Sequence, residues 1–255
     1  MNAVQTYNKP SGNYAEKLAN SVAAVREHLA ANPGDWTQAH SLGAEDVVVT
    51  QLLHLAGALP AVSAFVLDTG KLHEETLALI PLLEHRFGIS VQVFRPHAQD
   101  VVHFVKKNGE RAMYESLAQR KACCDVRKMQ PLAEALKGKT GWITGLRREQ
   151  SAARADVSIF GQDGERLKLN PLVDWTWGDV WHCIATNDLP YNALHDAFYP
   201  SIGCAPCTRA ISLGEDFRAG RWWWESSELK ECGLHVQDAS APLASCVSLL
   251  SETSA

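Results

Sequence analysis

An α/β fold built on a doubly wound, mostly parallel sheet is what this sequence predicts, and three observations carry that prediction. Short apolar runs alternate with helical patterns of about 10 to 15 residues, the pattern of βαβ units whose strands are buried on both faces. The strand-like runs end in turns rich in Gly, Ser and Asp, at residues 41–46, 68–70 and 145–151, where ligands of such sheets bind. At 255 residues and 46% hydrophobic, the chain can bury one large core.

Residues 14–31 combine helix-forming composition with apolar residues at helical spacing and stop at Asn32-Pro33-Gly34, which predicts a leading helix packed on the main domain. Trp36 to His40 reads as a strand, followed by the turn Ser41 to Asp46 and an apolar helical run over 47–55. Strand, Gly-containing turn and helix form a phosphate cradle, because the turn's N–H groups and the helix N-terminus point at an anion. Ser41 and Gly43 are its candidates, although the same pattern also serves as plain connection. Ala64 to Leu67 is a buried strand ending in Asp68-Thr69-Gly70, where Asp68 either caps its turn or faces a ligand. A helix follows over 73–87, stopped by Gly88, and residues 89–94 alternate as a further strand.

Residues 111–119 predict a short helix leading into Cys123-Cys124, and 126–136 a second one carrying Arg127 and Lys128. Gly141 to Gly145 is the next strand and runs into Leu146-Arg147-Arg148-Glu149. Adjacent arginines at a strand's C-terminal end suit bidentate binding of phosphate or sulfate, with a salt-bridged surface loop as the competing reading. A hairpin is expected around Gln162-Asp163-Gly164. Residues 176–186 form a helix with Trp177, Val180, Trp181 and Ile184 on one apolar face, and Cys183 belongs to its packing.

The cysteines organise the chemistry. Cys123-Cys124 and the C-x-x-C pair Cys204 and Cys207 lie about eighty residues apart, so a metal taking all four would staple two remote segments together. An all-thiolate set selects zinc or an iron-sulfur centre. Directly adjacent cysteines cannot form a zinc knuckle, which favours a cluster with its thiolates on separate corners. On a helix Lys128 shares a face with Cys124 and sets an ammonium beside a cluster thiolate, unless it is simply a solvated cation. A further element, Glu231-Cys232-Gly233-Leu234-His235, stands outside this set and suits a reactive thiol.

Four strings now carry a resemblance: K-A-C-C-D-V-R-K-M-Q-P-L from Lys121, G-C-A-P-C-T-R from Gly203, R-A-G-R-W-W-W-E from Arg218 and E-C-G-L-H from Glu231. The chain resembles the PAPS/APS reductase family, in particular its iron-sulfur type acting on adenylyl sulfate (APS), over roughly residues 36 to 236. The resemblance implies the adenine nucleotide alpha hydrolase or ATP-pyrophosphatase fold, with a mobile, redox-active C-terminal segment. It implies that Cys123, Cys124, Cys204 and Cys207 hold a 4Fe-4S cluster. It also implies that Ser41 and Gly43 belong to the phosphate loop, that Asp68 and Gly70 lie beside the nucleotide, and that Arg218 and Arg221 hold it. Cys232 would attack the sulfur, releasing AMP and leaving an S-sulfonate that thioredoxin or glutaredoxin opens to free sulfite. His235 would favour the thiolate, and Lys128 would tune charge between cluster and sulfate. The expected division is 1–35 as N-terminal helix and arm, 36–212 as nucleotide-binding α/β domain with the cluster, and 213–255 as catalytic C-terminal segment.

Composition sets limits. With 24 basic against 29 acidic residues, a net charge of −5 and no basic run, nothing holds a nucleic acid. Residues 1–10 show no signal-peptide pattern and no window reaches membrane-span length, so a cytoplasmic protein is expected, as a homo-oligomer or a single chain. Seven cysteines then argue for metal and catalytic use over disulfides. Three rivals stand beside the APS reading: the same reaction on 3'-phosphoadenylyl sulfate (PAPS), a nucleotide-dependent adenylation or RNA thiolation on the same fold, and a cluster-based redox sensor.

Overall fold

The computed structural model describes residues 2–212 and 214–226, so Cys232, His235 and Cys246 lie outside the described residues. The chain begins with helices α1 (Ala3–Tyr7) and α2 (Tyr14–Ala31) and enters the sheet at β1 (Trp36–Ala39). Helix α3 (Ala44–Ala56) leads to β2 (Val62–Leu67), and α4 (Glu74–Leu77) with α5 (Leu79–Phe87) lead to β3 (Val91–Phe94). Three helices follow, α6 (Ala98–Asn108), α7 (Leu117–Cys124) and α8 (Gln130–Ala135), before β4 (Gly141–Ile143). The hairpin β5 (Phe160–Asp163) and β6 (Arg166–Leu169) precedes α9 (Trp177–Thr186).

The strands lie in the order β3-β2-β1-β4-β6-β5. Every pair is parallel except β5 with β6, so the predicted hairpin supplies one strand to the parallel sheet and one antiparallel edge. From β1 the chain winds outward through β2 and β3, then returns to place β4 on the other side of β1. The crevice between the C-terminal ends of β1 and β4 is therefore the topological switch point, where sheets of this kind bind ligands. Helix α3 fills the layer behind it, with Val47, Val48, Val49, Leu52 and Leu53 in one core with Trp36 and Ile143. The ring of Trp36 crosses β4 so closely that a Cβ on Gly141 would stand 2.6 Å from it.

Four of the predicted helices differ from expectation. Helix α3 starts at Ala44 and not at Val47, because Gly43 is extended (φ −87°, ψ 168°) and serves as its N-cap, drawing Glu45 and Asp46 into the first turn. The single helix expected over 73–87 is two, since Pro81 near the start of α5 has no N–H to donate back to the last turn of α4. The helices expected over 111–119 and 126–136 are displaced: a 3₁₀ turn (Ala112–Tyr114) precedes α7, and a π-turn (Asp125–Met129) joins α7 to α8.

The N-terminal arm is seated on α9. Asp179 is buried, and its carboxylate accepts from the Ser11 N–H (2.7 Å), the Ser11 hydroxyl (2.8 Å) and Lys17 Nζ (2.8 Å). Burial opposes ionisation of Asp179, but these donors outweigh it and hold the carboxyl well below the usual range. The Ala3 N–H donates to Asp196 at 2.7 Å, and the Tyr7 ring lies 5.8 Å from Trp177.

Candidate active site

The turn after β1 is fixed from several sides. The Gln38 amide donates to the Asp46 carbonyl (2.7 Å), and the Thr50 hydroxyl donates to Gln38 Oε1 (3.0 Å). Asp46 reaches across the switch point: its carboxylate accepts from the Ser41 N–H (2.7 Å), the Ser41 hydroxyl (2.5 Å) and the Gly145 N–H beyond β4 (3.0 Å). A Cβ on Gly145 would lie 2.6 Å from that carboxylate, so only glycine fits. Burial pushes the Asp46 carboxyl up to about 6, against the pull of these donors. The result is a rigid turn across which the two strand ends are tied. Beside it opens a cleft of about 210 Å³ whose lining includes His40, Ser41, Gly43, Thr144 and Gly145 from the strand ends and their turns, together with Lys128, Arg218 and Arg221.

Of the residues expected to hold substrate, Ser41, Gly43, Arg218 and Arg221 thus meet in one cleft. Arg221 donates to the Ile202 carbonyl (3.0 Å) and lies 4.6 Å over the Trp222 ring. A Cβ on Gly203 would stand 2.6 Å from the Arg221 guanidinium, so glycine admits the arginine to the approach of the C-x-x-C loop.

The other four do not line this cleft. Arg147 is buried with its Nη2 donating to Glu45 (3.0 Å) and its Nη1 to Glu149 (2.6 Å). Arg148 is turned to the Val157 carbonyl (3.0 Å) and the Asp174 carboxylate. The pair is thus engaged in the salt-bridged loop that was the competing reading. Asp68 accepts from the Gly70 N–H (3.0 Å) and from Arg95 Nε (2.9 Å), capping its own turn, and Gly70 supplies the left-handed backbone (φ +69°) that the turn requires.

That turn has another employment, because it braces the cysteines. The Thr69 hydroxyl lies 3.2 Å from the Cys204 sulfur, the Lys71 carbonyl accepts from the Ala205 N–H (2.7 Å), and the Thr69 carbonyl accepts from Arg127 (2.8 Å). Tyr114 donates to the Pro206 carbonyl at 2.6 Å. Held this way, Cys123, Cys124, Cys204 and Cys207 line one small cavity of about 20 Å³ together with Lys71, Arg120, Arg127 and Lys128. None of the four is in a disulfide. Burial, reinforced by Cys204, pushes the Cys207 thiol up to about 11, and burial raises Cys123 as well, so these two are poor nucleophiles at neutral pH. Among the described residues no group of three or more His, Cys, Asp or Glu is arranged to hold one metal ion. Lys128 lines both this cavity and the cleft, and so stands between them.

The segment 218–226 closes over the cysteines. Arg120, on α7 and buried, donates to both Glu225 oxygens (2.7 and 3.0 Å) and stacks 4.3 Å from the Trp222 ring. Thr208 and Arg221 pair as an isolated bridge, joining the C-x-x-C loop to the same segment. Sequence reasoning missed Arg120, Asp46 and His40. For Asp46 a signal existed: an acidic residue three positions after a turn glycine, in the first turn of a helix.

Comparison with known proteins gives a consistent answer. The model of the phosphoadenosine phosphosulfate reductase domain matches residues 36–210. The chain is 49% identical over 202 residues to the adenosine 5'-phosphosulfate reductase of Allochromatium vinosum, covering 78% of each protein. It is 44% identical over 224 residues to that of Neisseria meningitidis, covering 86% of this chain and 91% of the relative. Among solved structures, the PAPS reductase of Candida auris in phosphate complex aligns with a TM-score of 0.61 at 22% identity, over 73% of this chain and 88% of that one. The NH3-dependent NAD synthetase of Campylobacter jejuni aligns at 0.51 and 11% identity, over 70% of this chain and 75% of that one. At these identities the two structures speak for the fold. No helix among the described residues is long and apolar enough to cross a membrane.

Proposed function

The chain belongs to the phosphoadenosine phosphosulfate reductase family, and on that premise we propose that it reduces adenylyl sulfate to sulfite and AMP in sulfate assimilation. The observation that carries the reading is the position of Lys128 on the wall shared by a nucleotide-sized cleft and a four-cysteine cavity. Ser41 and Gly43 receive the phosphate at the N-terminus of α3, and Arg218 and Arg221, lining the same cleft, neutralise the anion. The Cys232 thiolate attacks the sulfur of the sulfate-phosphate anhydride; the S–O bond to the nucleotide breaks, AMP leaves with the electron pair, and an S-sulfonate remains on Cys232. One thiol of reduced thioredoxin, or of glutaredoxin, attacks the Cys232 sulfur and releases sulfite. The resulting mixed disulfide is resolved by the second thiol, so the two electrons come from the dithiol.

The donor set of the second cavity fits a 4Fe-4S cluster: four cysteines from two remote segments, ringed by Lys71, Arg120, Arg127 and Lys128, whose charge offsets that of four thiolates. Bound there, such a cluster would supply an anionic, polarisable neighbour to the cleft, with Lys128 holding positive charge toward the sulfate. Dependence on a reduced thiol partner suits the cytoplasm.

The test is anaerobic incubation with reduced thioredoxin and either adenylyl sulfate or its 3'-phosphorylated form, measuring sulfite. Sulfite from adenylyl sulfate is expected; turnover of the 3'-phosphorylated form alone would move the substrate assignment, and sulfite from neither would sink the reading. Without thioredoxin, one sulfonate should appear on the peptide containing Cys232. A Cys232→Ser variant should bind AMP and form no adduct; sulfite production by that variant would overturn the role of Cys232.

A further inference from the structure

His40 is the residue after β1, buried to within 3% of full coverage, and it lines the cleft. Its backbone N–H is used by the sheet, donating to the Phe65 carbonyl at 2.8 Å. Its ring is used at one end only. Nδ1 accepts the Leu42 N–H at 3.0 Å, which holds Leu42 in a left-handed conformation (φ +64°) at the apex of the anion turn. Asn192 clamps the same residue from above by donating to the Leu42 carbonyl at 3.3 Å. A nitrogen that accepts a hydrogen bond carries no proton, so the neutral ring must carry its proton on Nε2. Burial lowers the imidazole to about 3, so the ring stays neutral and keeps this tautomer at physiological pH. Nε2 has no hydrogen-bond partner among the described residues. A buried N–H without a partner is costly and calls for an explanation at that position.

We infer that His40 is a substrate-binding residue whose Nε2–H donates to an acceptor atom of the bound adenylate, while its Nδ1 shapes the anion turn. A neutral, tautomer-fixed donor at the switch point adds a directional hydrogen bond where Arg218 and Arg221 add charge. One ring thereby couples the conformation of the turn at Leu42 to recognition of the nucleotide. The inference rests on the proposed nucleotide cleft.

Two substitutions separate the two nitrogens. In His40→Asn the side-chain oxygen stands as many bonds from Cβ as Nδ1 does, so the Leu42 N–H keeps its acceptor while the Nε2 donor is lost. In His40→Gln the amide nitrogen stands where Nε2 does, so a donor is restored without the Leu42 acceptor. Binding of AMP is measured by calorimetry on the full chain, with thermal unfolding of each variant alongside. The expected result is a His40→Asn protein with near wild-type melting that binds AMP about ten- to a hundred-fold more weakly, and recovery of most of that affinity in His40→Gln. Adenosine titrated in parallel assigns the acceptor: if only AMP weakens, Nε2 serves the phosphate, and if both weaken, it serves the nucleoside. Wild-type affinity in His40→Asn would overturn the inference, assigning Nε2–H to water. Loss of melting temperature and binding together in both variants would overturn it in favour of a purely structural ring. Wild-type protein that binds neither AMP nor adenylyl sulfate would instead sink the nucleotide reading itself.

Discussion

Lys128 is half-buried between a cleft and a ring of thiols, and its neighbours decide what it can do. In the cysteine cavity it is one of four cations, so removing it leaves the thiolates partly compensated; among the described residues it is the one cation that lines both the cavity and the cleft. Lys128→Ala should therefore fold normally and lower turnover about ten- to a hundred-fold, the worth of one charged hydrogen bond in a partly desolvated site. Steady-state kinetics beside a melting curve checks this, and an unchanged rate returns Lys128 to an ordinary surface role. The cysteine pairing was legible because adjacent thiols and a C-x-x-C have few uses other than metal. For Arg147 and Arg148 the salt-bridged loop was one of two open readings, and of their carboxylate partners Glu149 is local while Glu45 and Asp174 are not. Sequence position put them at a strand end, and only the fold shows carboxylates there first.

The β1 turn shows what a single element hides and reveals. Its glycine and its strand-helix context were readable, but Asp46 ties it to Gly145 across the sheet, a pairing set by strand order and invisible to any local window. The linkage has a pH signature. Burial raises the Asp46 carboxyl from 3.8 in the unfolded chain to about 6, so its contribution to stability is complete below pH 3.8 and is lost as pH rises to about 6. The swing is on the order of 2 to 3 kcal/mol. Asp46→Asn removes it: the melting temperature of wild type minus that of the variant should fall between pH 4 and 6 and level off above. A difference independent of pH would mean that Asp46 does not titrate there. The variant also places an amide where Ser41 and Gly145 present N–H donors, so KM for adenylyl sulfate should rise at neutral pH. Other elements were obscured by irregularity. The π-turn at Asp125–Met129 carries the same apolar spacing as the helix predicted there, and sequence periodicity does not distinguish one from the other.

At the scale of the whole molecule, alternating strands and helices announced the parallel sheet, and helical spacing a leading helix packed on it, but not how the arm ahead of α2 is fastened. The arm is fastened at Ala3 on Asp196 and at Ser11 on Asp179, and between these points the Lys9 carbonyl rests on Gly178 in the first turn of α9. A Cβ at residue 178 would stand 1.9 Å from that carbonyl oxygen, a backbone atom held from both sides. Gly178→Ala therefore sets two effects of opposite sign against each other. In a helix with open space the change stabilises by about 1 kcal/mol. Here it must expel the arm or bend α9, costing about 1 to 3 kcal/mol as other overpacked sites do, and exposing the buried carboxylate of Asp179. The net expectation is a lower melting temperature by several degrees, with protease cleavage appearing within residues 2–13 before the core is cut. A higher melting temperature with an intact arm would show that Gly178 faces open space and that the arm does not rest on α9.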